Sequence, residues 1–435
     1  MVLANRRQRL RLVASALFAM CASPAWAAGA DLCDPGELGG PGIALRATKV
    51  LTAAGDDGVT EAIIDHGLVL VRDGRIEAVG AADELPIPAG YEVKDLGERW
   101  LMPGLVELHS HVAGTGYNDA VYQTNPGLRA SATVIPDRLY LQRATAGGVT
   151  TLLFIPGSAT NMGGQGVLLK PGLDTFDEML VRAPGSVKIA QGDNPKRWGY
   201  GMQRSLMAWN LRQELRAGLA YARRWADHER GAADQPERVV RYDVFRDLLS
   251  GHTQVSTHTQ YYKLVLTTIE MLRVEFGLDV YIDHGSFDSY KTAKLAADNR
   301  VAAILGPREI MWPSPTRYRT DGRVEGSAWG FQRGGQEEIG FNTDAPVVPQ
   351  EELSVQSAMG VRYGLDNSAA AAVRGLTIVP ARTAGIDDSV GSLESGKDAD
   401  ILVLTGDPSD PRTAIEMVYV EGRLVYNAEE GGRLW

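Results

Sequence analysis

Two histidines at the end of an apolar segment are the residues of this sequence best placed to do chemistry. Residues 101–111 read LMPGLVELHSH and end with His109 and His111. Side chains of a β-strand alternate between its two faces, so both imidazoles point the same way. Two imidazoles converging from one strand can share a metal ion, although a lone His-x-His also arises by chance.

Three further residues with metal-donating side chains follow predicted strands. His258 follows a β-branched run, His284 ends the segment DVYIDH, and Asp344 ends the segment IGFNTD. Donors at the carboxyl ends of several different strands are what the active site of a (β/α)8 barrel supplies. Neutral imidazoles with one carboxylate suit zinc or a similar divalent ion. The pattern therefore predicts a metal site, and the alternative is a set of polar residues scattered over loop ends.

Three segments along the chain add a recognisable family pattern. They are residues 44–51 and 71–80, which look like opening β-strands, and residues 391–404, GSLESGKDADILVL. Together with the Pro-Gly-x-x-x-x-His-x-His strand they resemble the amidohydrolase superfamily, in its imidazolonepropionase-like and prolidase-like branch. The resemblance covers nearly the whole chain after residue 27. It implies the following metal ligands: His109 and His111 from barrel strand 1, His258 from strand 5, His284 from strand 6 and Asp344 from strand 8.

The ligand from barrel strand 4 is a separate question. Many members of the superfamily use a lysine there, carboxylated on its amine, to bridge two metal ions, whereas imidazolonepropionases lack it and bind one. Lys188, in the segment SVKIA, stands in the right order and resembles this lysine. The alternative is a lysine that extends its amine to the surface or pairs with an acid such as Asp193. The resemblance thus implies one or two divalent ions, with zinc preferred, and a carboxylated Lys188 in the two-ion case.

The activity implied by the resemblance is hydrolysis of a carbon–nitrogen amide bond, linear or cyclic. A metal in such a site lowers the pKa of bound water and polarises the scissile carbonyl. Asp344 is expected to act as the base and pass its proton to the leaving nitrogen, and His284 to bind the second metal or help polarise the carbonyl. Asn194 after strand 4 and Arg308 after strand 7 are candidate contacts to a small-molecule amide or peptide substrate. A plain turn and a structural ion pair are the respective alternatives.

Three other functions compete with this hypothesis. A dipeptidase of the prolidase type shares the same ligands, so the ligands do not separate it from a cyclic-amide hydrolase. A metal-dependent deaminase would normally carry a glutamate three residues after the strand 5 histidine, where this chain has Tyr261. A non-catalytic binding protein would be expected to have lost a ligand, and all five core ligands are present.

The elements that must position these residues follow from strand and turn signals. Residues 101–382, about the length of one TIM barrel, are expected to form the catalytic domain of an α/β protein. Tyr261 to Phe276 is apolar at helical spacing, which predicts a crossover helix between the strands of His258 and His284. Residues 28–100 and 383–435 alternate short β runs with turns. We expect them to pair into one small discontinuous β-sandwich, as the resemblance implies.

Residues 1–27 are typical of a secretory signal peptide. They carry four arginines, then a short apolar run, then Ala25-Trp26-Ala27 as a cleavage site. The protein is therefore expected to be exported, in the periplasm or secreted. Cleavage would remove Cys21 and leave Cys33 alone, which excludes an intrachain disulfide.

Charge and hydropathy limit the partners of the chain. It has 44 basic and 54 acidic residues, a formal net charge of −10, and loss of the four signal arginines would leave it more acidic. An acidic chain repels polyanions, so nucleic acid is not an expected partner. No segment reaches transmembrane length, so an integral membrane protein is not expected either. The expected partner is the small-molecule substrate, and the sequence leaves a homo-oligomer open.

Overall fold

The computed structural model describes residues 42–55, 63–116, 118–119, 122–198, 203–307 and 326–430. The predicted signal peptide, Cys33 and Arg308 lie outside these residues. The strands are β1 Ile43–Leu51, β2 Ile63–Arg72, β3 Arg75–Ala81, β4 Glu92–Asp95, β5 Trp100–Pro103, β6 Leu105–Ser110, β7 Val149–Phe154, β8 Met162–Leu169, β9 Leu180–Ala190, β10 Val255–His258, β11 Ile282–His284, β12 Ala303–Leu305, β13 Ile339–Phe341, β14 Ile401–Leu404, β15 Ile415–Val420 and β16 Arg423–Asn427.

The α-helices are α1 Leu139–Ala146, α2 Phe176–Met179, α3 Asn194–Trp198, α4 Arg204–Glu229, α5 Val244–Ser250, α6 Tyr262–Thr268, α7 Ala293–Asp298, α8 Ser327–Arg333, α9 Leu353–Arg362, α10 Ala371–Leu376 and α11 Ile378–Ala384. A π-helix, Ile269–Glu275, continues α6, so the crossover helix predicted between the His258 and His284 strands is present. Among the described helices, none has the length and apolar character needed to cross a membrane.

The two ends of the chain share one sheet. Its strand order is β16-β15-β14-β5-β1-β2-β3, with β4 also paired to β1. The two ends join where β5 and β14 pair antiparallel. All four residues of β14 are buried, because this strand lies inside the sheet rather than at an edge. The predicted pairing of the chain ends is therefore present, while a two-layer sandwich and the domain boundaries stay predictions.

A buried lysine ties this sheet to the rest of the protein. Lys170 directly follows β8, and its side chain is 3% exposed. Its Nζ lies 3.2 Å from Asp400 Oδ2 and 3.2 Å from Glu421 Oε1, and it also contacts Asp398. Burial lowers the pKa of Lys170, but the surrounding carboxylates outweigh burial and raise it. Asp398 and Asp400 belong to the conspicuous 391–404 segment, so part of that pattern forms an ion-pair cluster.

Eight further strands form the barrel that carries the predicted ligands. They hydrogen-bond as two sheets, β10-β9-β8-β7-β6 and β11-β12-β13. Parallel bridges between Ser110 and Ala345, and between Thr259 and His284, join the two sheets at both edges. The apolar interior includes Leu152, Val187 and Ile282, all fully buried. A TIM-barrel-like α/β fold, as predicted, therefore brings the carboxyl ends of these strands together.

One barrel strand departs from the regular pattern of parallel β/α units. β8 runs antiparallel to both of its neighbours, β7 and β9. Only residues 155–161 connect β7 to β8, and a parallel crossover needs a dozen residues or more. The short connection therefore permits a hairpin but no crossover helix. The prediction of eight uniform β/α units is thus too regular at the third strand.

Candidate metal centre

The first pair of predicted ligands comes from β6. His109 is the fifth residue of this fully buried strand, and His111 follows the strand directly. Their ring centroids lie 5.1 Å apart with the rings nearly perpendicular, at 88°. Nδ1 of His111 is 2.8 Å from the carbonyl oxygen of Ile155, which fixes that ring from behind. Strand alternation thus places both rings on the interior side, as the sequence predicts.

The second pair comes from β10 and β11. His258 and His284 are the last residues of these strands, and both are buried. Nε2 of His284 lies 2.8 Å from Nδ1 of His258, and Nδ1 of His284 lies 3.0 Å from the carbonyl oxygen of Gly306. His284 has a φ of 71°, in the left-handed region that non-glycine residues rarely adopt. Backbone strain of this kind is commonly retained where it aims a functional side chain.

Asp344 joins the two pairs. Its Oδ1 lies 3.4 Å from Nε2 of His109 and 3.4 Å from Nε2 of His111, and its Oδ2 lies 3.9 Å from Nε2 of His284. Burial raises the pKa of this carboxyl, but the imidazoles of His284 and His111 more than reverse the effect and hold the pKa below its usual range. The carboxylate is therefore ionised at neutral pH and able to accept a proton.

Lys188 lies inside this cluster. The side chain projects from β9, is fully buried, and places Nζ 3.0 Å from Nε2 of His109 and 3.3 Å from the carbonyl oxygen of Thr257. Burial lowers the pKa of Lys188 to about 8, against the opposing effect of Asp283 and Asp344. Asp193 lies 2.7 Å from Lys196 instead. The alternative of a surface or Asp193-paired lysine is therefore wrong.

The donor atoms present fit a divalent cation. The ligand atoms of His109, His258, His284 and Asp344 all lie within 4.8 Å of one another. Burial lowers the pKa of His284 to about 4 and those of His109 and His258 well below their usual value. Neutral imidazoles have a free lone pair for a metal, and this nitrogen and carboxylate set suits zinc.

Known proteins share both the sequence patterns and the fold of this chain. The model of the Amidohydrolase family matches residues 320–425, which include Asp344. An imidazolonepropionase of Sphingopyxis alaskensis is 24% identical over 83% of this chain and 91% of that protein. Amidohydrolase tasK of Hapsidospora irregularis is 24% identical over 84% of this chain, which spans only 40% of its length. A crystal structure of an amidohydrolase from Thermotoga maritima is 28% identical with a TM-score of 0.75, covering 88% of this chain and 100% of that one.

The family model, the imidazolonepropionase and the Thermotoga maritima structure together support the amidohydrolase superfamily for this chain. The imidazolonepropionase match agrees with the branch that the sequence predicts. These matches also support the prediction of a hydrolase of carbon–nitrogen bonds. The residue that would be a glutamate in a deaminase is Tyr261, whose ring stacks on Phe287 at 4.7 Å. A phenol ring cannot supply the carboxylate that deaminase chemistry would require there.

Two buried acids support the predicted ligands and were missed by the sequence analysis. Glu107 accepts hydrogen bonds from the backbone N–H of His109 and from the N–H and hydroxyl of Thr343, at 2.7 to 2.9 Å. It thereby links β6 to the residue before Asp344, and burial raises its pKa to about 8. Asp283, also fully buried, lies beside His109. The available signal was position: Glu107 is two residues before His109 on the same strand face, and Asp283 directly precedes His284.

The two predicted substrate contacts stay predictions. Asn194 begins α3, on the loop that follows the carboxyl end of β9, and its side chain is half-buried. The neighbouring Asp193 is bound by Lys196 and by Arg204, at 2.7 and 3.0 Å. Arg308 lies outside the described residues. Asn194 therefore lies on the same face of the barrel as the clustered histidines, where a substrate would meet them.

Proposed function

We propose that this protein is an exported, metal-dependent amidohydrolase that cleaves a carbon–nitrogen amide bond in a small linear or cyclic substrate. The observation that carries the proposal is the convergence of His109, His111, His258, His284 and Asp344 with Lys188 at one end of the barrel. These groups come from five different strands, so only folding brings them together. A protein that merely binds small molecules has no need of such a set.

The two oxygens of Asp344 approach different histidines, which supports a site for two divalent ions, zinc first. One oxygen lies near His109 and His111. The other lies nearest His284, which contacts His258. Lys188 lies beside His109. We propose that its amine nitrogen bonds to the carbon of carbon dioxide and releases a proton, which gives an anionic two-oxygen group able to bridge two ions.

When bound, the metal supplies a water of lowered pKa and polarises the substrate carbonyl. The protein side chains do the rest. Burial lowers the pKa of His109, His258 and His284, so these imidazoles stay neutral and can hold cations without adding charge. Asp344 is 13% exposed and ionised, so it can take a proton from the attacking water and return it to the leaving nitrogen. His284 would bind the second ion or help to polarise the substrate carbonyl.

Metal analysis joined to a substrate screen tests this function. Protein prepared without chelator should contain one or two divalent ions per chain, with zinc dominant. The screen should include dipeptides, N-acyl amino acids and cyclic ureides, because linear and cyclic amides use the same ligands. Hydrolysis of dipeptides alone would favour the prolidase-type alternative within this class. A metal-free protein with no hydrolytic activity in the presence of added zinc would refute the proposal.

Export is proposed on the residue pattern of residues 1–27. Expression of the full chain in a bacterium, followed by fractionation and N-terminal sequencing, tests it. Mature protein in the periplasm or medium, beginning at Ala28, is the expected result. Uncleaved protein in the cytoplasm would contradict export without affecting the proposed chemistry.

A further inference from the structure

Two of the four clustered histidines have a hydrogen-bond acceptor at the ring nitrogen that faces away from the cluster. In His111 and His284, Nδ1 lies 2.8 and 3.0 Å from a backbone carbonyl oxygen, and Nε2 faces Asp344. His258 is reversed, with Nδ1 toward His284 and Nε2 facing Gly192, where an added Cβ would lie 3.3 Å away. A metal-binding histidine almost always donates its other N–H to an acceptor, which fixes its tautomer and orientation.

His109 is the ring whose rear acceptor is a carboxylate. Its Nδ1 lies 3.1 Å from Oδ2 of Asp283, and both side chains are completely buried. Among the residues that the structure describes, neither His109 Nδ1 nor either oxygen of Asp283 takes part in a hydrogen bond of ordinary geometry. Leaving these groups unpaired would carry a desolvation penalty, so a slight rotation of the ring into a hydrogen bond is favoured.

We propose that Asp283 is a positioning residue of the metal centre, whose Oδ2 accepts the Nδ1–H of His109 and so directs the Nε2 lone pair of that ring toward the metal. The inference rests on the proposed metal site.

The backbone of β11 explains how Asp283 and His284 both face the cluster. Successive strand residues normally point to opposite faces, which would turn Asp283 away from a site containing His284. The φ of 71° at His284 breaks this alternation. The ring of His284 then lies 4.4 Å from that of His109, while Asp283 reaches the rear of the same ring. The strained backbone at His284 thus lets two neighbouring residues serve the site: His284 as a ligand, and Asp283 as the support of His109.

The test is the metal affinity of Asp283→Asn, a substitution of nearly equal volume. Apo protein is titrated with Co²⁺ and with Zn²⁺ against a competing chelator, and the visible absorption of bound Co²⁺ is recorded. We expect the variant to bind about 10–100-fold more weakly and the cobalt spectrum to change, because the ring of His109 is less firmly held. The matched control is Asp400→Asn, which alters another buried acid, far from the site and next to Lys170. It should lower stability but leave metal affinity and the cobalt spectrum unchanged.

Each outcome decides one question. Wild-type protein that binds neither ion would overturn the proposed function itself. Wild-type protein that binds metal, with Asp283→Asn equal to it within threefold, would overturn only the role of Asp283. If Asp283→Asn does not fold, the tautomer of His109 in apo wild-type protein decides, by ¹⁵N NMR of histidine-labelled protein. A proton on Nδ1 supports the inference, and a proton on Nε2 overturns it.

Discussion

Replacing Asp344 by asparagine should remove proton transfer while leaving metal binding largely intact. The carboxamide keeps the volume and one oxygen donor of the side chain, while four imidazoles and Lys188 remain in place. The protein should therefore fold and retain most of its metal. An amide cannot take a proton at neutral pH, whereas Asp344 is ionised because neighbouring imidazoles lower its pKa.

The expected loss in kcat follows from what a positioned base contributes. General base catalysis typically accelerates a reaction by about 10²–10⁴-fold, which corresponds to about 3–5 kcal/mol of activation free energy. We expect Asp344→Asn to lose at least this much turnover on the substrate found in the screen, with KM changed far less.

Steady-state kinetics, metal content and urea unfolding of the variant form the assay. Asp243→Asn is a matched control, because Asp243 is similarly exposed, at 18%, and is paired with Arg238 in the helical region that contains α5. It should keep wild-type kcat. An Asp344→Asn protein with full metal content and kcat within tenfold of wild type would show that another group is the base.

Four further predictions concern the predicted ligands, the buried Glu107 and the ion-pair cluster around Lys170. Replacing both His109 and His111 by Ala should remove most bound metal, measured by elemental analysis; unchanged metal content would disprove their assignment. Lys188→Ala should lose about one ion per chain and most activity. Added bicarbonate should aid metal loading only in the wild-type protein. One ion per chain in both proteins, with activity retained in the variant, would exclude a bridging carboxylated Lys188. Between about pH 4.5 and 8, folded Glu107 keeps a proton that the unfolded chain has released, so the unfolding free energy of the apo protein should fall as pH rises. Urea unfolding at several pH values should show a weaker pH dependence for Glu107→Gln. An equal pH dependence in both proteins would contradict this prediction. Lys170→Met should lower the free energy of unfolding by about 3–5 kcal/mol, because Asp400 loses its ion-pair partner and Asp398 is left with Arg75. Metal affinity should not change. An unaltered free energy of unfolding would show that the cluster does not stabilise the fold.

The pairing of His109 and His111 was predictable because it depends on a rule that acts locally. His109 and His111 share a face through strand alternation, and a strand end needs only an apolar run to be recognised. The grouping of His258, His284 and Asp344 with them came from the order of a known family rather than from spacing. Lys188 needed that order as well, since a lysine in an apolar strand has no local signature of its own.

The remaining features depend on geometry that a sequence pattern does not carry. An apolar strand has no marked direction, so nothing in residues 162–169 shows that β8 runs antiparallel. The role of Asp283 depends on a positive φ at His284, which alternation would not predict. Glu107 looks like one polar residue in a buried strand until the fold brings Thr343 to it.

The reversal of β8 also determines where this barrel can accept new sequence. Because β8 runs backwards, the loop after it opens on the side away from the metal centre, and its residues Gly172, Asp174 and Thr175 are exposed. The connection on the catalytic side, residues 155–161, is entirely buried and holds His111 through Ile155. Insertions of a tag or a binding peptide should be tolerated near residue 174 with catalysis intact. The same insertions within residues 155–161 should destroy the site. The connection before the third barrel strand, β8, is therefore a poor place for sequence changes that alter substrate preference.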